Sequence, residues 1–126
     1  MADIPPSGLK LLSQQLPQLD SDIVVLDLGA GTSVHTIDFF MSAHVGILSL
    51  LPEPTSIENV YRFIRNVYYR RLWLSPALAP ARTTIERAFD PKDTNSLRSP
   101  SDLYRRVASD FPTLAPVLRQ IGRAHV

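Results

Sequence analysis

Two short apolar runs, Ile23-Val-Val-Leu26 and Val45-Gly-Ile-Leu-Ser-Leu-Leu51, stand apart from a chain whose other apolar residues recur at helical spacing. Four apolar residues in a row are too few for a helix and suit a strand covered on both faces, where polar alternation is not needed. The first run ends on Asp27 and then breaks at Gly29 and Gly31. Between the runs, Val34, Ile37, Phe40 and Met41 share one helical face, which predicts a short helix over about residues 33–43. Strand, glycine turn, helix and strand predict a right-handed βαβ unit with parallel strands, so the expected fold class is α/β, one piece of a doubly wound sheet. Two parallel strands cannot cover both faces of a sheet, and on this reading the chain is a fragment.

The flanking patterns are helical. Leu9, Leu11, Leu12, Leu16 and Leu19 predict an amphipathic helix over residues 7–19, interrupted late by Pro17. Pro52-Glu-Pro-Thr-Ser56 ends the second run and opens the longest helix, about residues 56–74, with Thr55 and Glu58 in capping-box spacing. Ile57, Val60, Tyr61, Ile64, Val67, Tyr68 and Leu72 form its apolar stripe, and Arg62, Arg65, Arg70 and Arg71 fall mostly elsewhere. After Ser75 the chain turns to short helices punctuated by proline, at about 81–89, 100–109 with Ser99 as cap, and 112–119. Residues 1–120 are therefore expected to form a partial domain, with a helix and βαβα core over 8–74 and a helical insertion over 75–120.

Composition narrows the class. With 126 residues, 44% hydrophobic and 20% charged, the chain is ordinary globular material. No run approaches the roughly 18 apolar residues of a membrane helix, and the first residues lack the pattern of a signal peptide, so a cytoplasmic location is the default. The absence of cysteine excludes disulfides and thiolate metal sites. The formal charge of +1 invites a nucleic-acid reading, but it rests on the tail. Ile121-Gly-Arg-Ala-His-Val126 is what ATC GGA AGA GCA CAC GTC encodes, the start of a common sequencing adapter, whose next triplet is a stop. Residues 121–126 are thus expected to be non-native. Without Arg123 there are 12 basic against 12 acidic residues.

Asp27-Leu-Gly-Ala-Gly31 admits two chemical readings. An aspartate at a strand end, followed by a glycine turn, resembles the Walker B and switch II segment of P-loop ATPases, where the acid orients water on Mg²⁺. It also resembles motif I of the class I S-adenosylmethionine-dependent methyltransferases, although Ser33 stands where a third glycine is usual and Glu53 is a poor match for the acid ending the next strand. A bare βα turn without a ligand and a non-catalytic interaction module using the arginine face are the bland alternatives. His35 and His44 lie nine residues apart with no partner pattern, and read as surface histidines. Tyr61, Tyr68, Tyr69 and Trp73 fit helix packing, with Trp73 expected to cover the sheet.

A longer match separates these readings. Residues 23–72, through Val-Val-Leu-Asp-Leu-Gly-Ala-Gly-Thr, Asp38-Phe-Phe40, Pro52-Glu-Pro-Thr-Ser-Ile-Glu-Asn59, Tyr61-Arg-Phe-Ile64 and Tyr69-Arg-Arg-Leu72, resemble the MinD/ParA family of deviant Walker ATPases. The branch of flagellar-number regulators of the FlhG/FleN type looks nearest, and Arg98-Ser-Pro-Ser-Asp-Leu-Tyr104 is similar to a helical insertion found there. The resemblance implies that Asp27 is the Walker B acid, acting on Mg²⁺ through water, and that Gly31, with Gly29 before it, lies near the γ-phosphate of ATP. It implies a nucleotide-dependent homodimer with Pro52 and Glu53 near the interface, and a role as spatial regulator of flagella, division or partitioning. Membrane or nucleic-acid partners occur in the family, but nothing in these residues points to either. One departure is decisive: Gly-Lys-Ser/Thr is absent, and the only lysines, Lys10 and Lys92, sit outside any glycine-rich loop. The phosphate cradle would lie before Met1, which makes the chain itself an inactive middle piece.

Overall fold

The computed structural model describes residues 11–12, 14–90 and 99–123, and it is helical throughout its regular parts. The chain divides into two compact units, residues 1–66 and residues 67–126. No strand occurs among the described residues, which overturns the expected α/β class: there is no βαβ unit and no parallel sheet. Residues 23–28 and 46–51 carry no regular structure, and Val25 and Ile47 are 84% and 86% exposed. The physical reason lies in where a strand finds its hydrogen bonds. A helix satisfies its own backbone, whereas an apolar run becomes a strand only against a partner, and two isolated short runs offer each other too little.

In the first unit, residues 11–12 and 14–15 are helical and lead into a tight 3-10 turn at Leu16–Gln18, where Pro17 changes the winding. Leu19, expected to end this helix, is extended, and residues 7–10 and 13 lie outside the described residues. Helix α1 (Val34–Ser42) follows the glycine turn, as the spacing predicts. Ser33 caps it, its hydroxyl accepting from the Thr36 amide at 3.1 Å, which satisfies one of the orphan donors of the first turn. Ile37 is buried, and the Phe40 ring meets Phe63 edge to face, 5.0 Å between centroids. Gly46 lies under that ring: a Cβ there would be 2.4 Å from Phe40, so only glycine lets the ring sit where it does.

Helix α2 (Pro54–Leu74) begins two residues before the predicted start, with proline in the first turn, where its missing N–H costs nothing. The expected Thr55/Glu58 capping box is not formed. Glu58 instead accepts from Arg62 at 2.8 Å, and the hydroxyl that closes the entry is that of Ser56, accepting from the Leu51 amide at 3.0 Å. The boundary between the two units falls inside this helix.

The second unit holds a contiguous core. After the end of α2 come a 3-10 segment (Pro76–Ala81), α3 (Arg82–Phe89), α4 (Pro100–Asp110), a 3-10 turn (Pro112–Leu114) and α5 (Ala115–Arg123). Leu72, Leu78, Ile85, Leu103, Val107 and Leu118 are buried together, every element except the Pro112–Leu114 turn contributing at least one of them. Full burial of such a side chain is worth about 1.5–3 kcal/mol, enough to hold short helices that would not persist alone. Ser99 caps α4 as the sequence predicts, accepting from the Asp102 amide at 3.2 Å and donating to the Asp102 carboxylate at 2.8 Å. Trp73, expected to cover a sheet, instead lies beside Tyr69 (6.5 Å) with the Arg82 guanidinium 5.2 Å above its ring. Ile121 of the suspected tail is half-buried against this core. No helix among the described residues is long and apolar enough to cross a membrane.

Candidate functional site

The candidate residues lie in the first unit, on backbone that the hydrogen-bonded elements flank but do not include. Asp27 is exposed, in the irregular stretch between the 3-10 turn and α1. Among the described residues its carboxylate has no hydrogen-bond or ion-pair partner, so it is fully available to water. Gly29 and Gly31 are exposed, and a Cβ on either would meet nothing within 4 Å. Their difference is conformational. Gly31 has φ +143°, a region that side chains rarely enter, and this sharp change of direction delivers the chain to the Ser33 cap of α1. Nothing of the kind requires glycine at position 29.

Pro52 and Glu53 are exposed in the turn before α2, where the Glu53 amide donates to the Leu51 carbonyl at 2.7 Å and its carbonyl accepts from the Ile57 amide at 3.0 Å. Their backbone roles are thus to shape the helix entry. No hydrogen bond or ion pair joins Asp27 to Glu53, and the strand ends expected to present Asp27 at a ligand crevice are not formed. The sequence-selected residues therefore share a unit without forming an enclosed site. His35 is half-buried on α1 and His44 exposed just beyond it. No group of three His, Asp or Glu side chains that could hold a metal ion occurs among the described residues.

The donor chemistry does not fit ATP with Mg²⁺ bound by this chain alone. Mg²⁺ requires near-octahedral oxygen coordination, and one solvated carboxylate supplies at most a contact through water. No lysine among the described residues is available to neutralise a triphosphate.

Two arrangements in the second unit carry chemistry that the sequence reading missed. Arg119 lies 5.3 Å above the Tyr104 ring and donates to its hydroxyl at 3.0 Å, bordering a shallow depression between Pro112 and Pro116. Burial pushes Tyr68 above its ordinary range, and burial with the nearby Glu86 charge does the same for Tyr69, against a smaller opposing effect of Arg70. Positions 104 and 119 are fifteen residues apart, on separate helices, so periodicity gave no signal of their meeting. The charged helix faces are dressed by short-range pairs, Glu58–Arg62 at 2.8 Å and Arg106–Asp110 at 3.1 Å, as an ordinary solvated face would be.

Compared with protein-family models, with curated proteins and with solved structures, the chain matches none.

Proposed function

We propose that this chain is part of a MinD/ParA-type ATPase, a cytoplasmic spatial regulator of flagellar number, division or partitioning that binds ATP and Mg²⁺ and works as a homodimer. The reading rests on residues 23–31 taken with Pro52-Glu-Pro-Thr-Ser-Ile57, and it does not include the sheet. Its main support is the order of chemistry along the chain. An unpaired, solvated Asp27 ends an apolar run, and a turn whose Gly31 requires a positive φ follows at once. Backbone of that kind permits close approach to a phosphate, and an acid beside it can orient a metal-bound water. The exposed apolar residues at 23–25 and 45–47 agree with a piece that meets further protein elsewhere.

On this reading the chain alone turns over no ATP above background, because the phosphate cradle is missing. The DNA upstream of Met1 should encode Lys-Gly-Gly-x-x-Lys-Thr. In a protein extended by that segment, Asp27→Ala should abolish hydrolysis and Gly29→Ala should be better tolerated than Gly31→Ala. Asp27-dependent hydrolysis by the chain alone, or tight binding of S-adenosylmethionine without ATP, would contradict the assignment.

A further inference from the structure

We draw no further inference here: the strongest candidate, the exposed apolar stripe of Ile57, Tyr61 and Ile64 along α2 in the first unit, carries nothing because nothing in the structure shows what covers it.

Discussion

The two units of this chain are built from similarly apolar sequence and end in opposite states. In residues 67–123, six large apolar side chains from successive elements are buried in one cluster. In residues 11–66, Ile37 and Phe63 are the buried apolar residues, while Ile23, Val25, Val45 and Ile47 face solvent. The difference follows from how the apolar residues are arranged, not from how many there are. Spread at a period near 3.6, they ride on a backbone that bonds to itself and need only another helix to cover them. Concentrated into unbroken runs, they need a partner strand for the backbone before they can be buried at all.

The sharpest way to break that comparison is by mutation in each unit. Ile85→Ala or Leu103→Ala, at fully buried positions, should cost about 2–5 kcal/mol in urea unfolding. Val25→Ser or Ile47→Ser, at equally apolar but exposed positions, should fall within about 0.5 kcal/mol. Comparable losses in both units would mean that the runs are buried after all.

How much of this was legible follows the same division. Ser99 was readable as a cap because the capping hydrogen bond spans three residues, and sequence carries that distance directly, whereas Ser33, expected to be the first residue of its helix, turns out to be its cap. The start of α4 was readable from Pro100, whereas Pro112, the expected start of the last helix, opens a 3-10 turn and α5 begins only at Ala115. The strands were misread because an apolar run states only that it can be buried, and the partner that decides between strand and irregular chain is not local. Trp73 was assigned to a sheet by inheritance from that error, whereas Arg82, nine residues on, supplies its actual cover. At the candidate site, the special backbone of Gly31 was foreseeable from the glycine turn. The isolation of Asp27 was not, since it depends on the missing strands. The Tyr104–Arg119 contact joins separate helices and left no periodic trace.

Capping offers a milder test of the contrast. Ser99→Ala removes two hydrogen bonds at a half-buried helix start and should lower the stability of the second unit by about 1 kcal/mol. Ser33→Ala removes an exposed cap of the same type, and should appear as faster local exchange in α1 with no shift of the main unfolding transition. Gly46→Ala should act on the first unit alone. The added methyl displaces the Phe40 ring, and the loss of Phe40–Phe63 ring-current shifts by NMR would report it.

The smallest expected effect is a pH dependence confined to the second unit. Tyr68 and Tyr69 resist ionisation in the fold, because burial disfavours the phenolate. Above about pH 10 the unfolded chain therefore releases these protons before the folded one does, and stability falls as pH rises. Tyr68→Phe and Tyr69→Phe together should flatten that decline, measured as the urea midpoint between about pH 9 and 11 against pH 8.

Hydrogen exchange read residue by residue on the intact chain tests the central contrast most directly. The account predicts the slowest amides in the helices around Leu72, Ile85, Leu103 and Val107, exchanging only with unfolding of that core, and near-unprotected exchange across residues 23–28 and 46–50. Protection of those two runs equal to that of the core would show that they pair into a sheet and would contradict it.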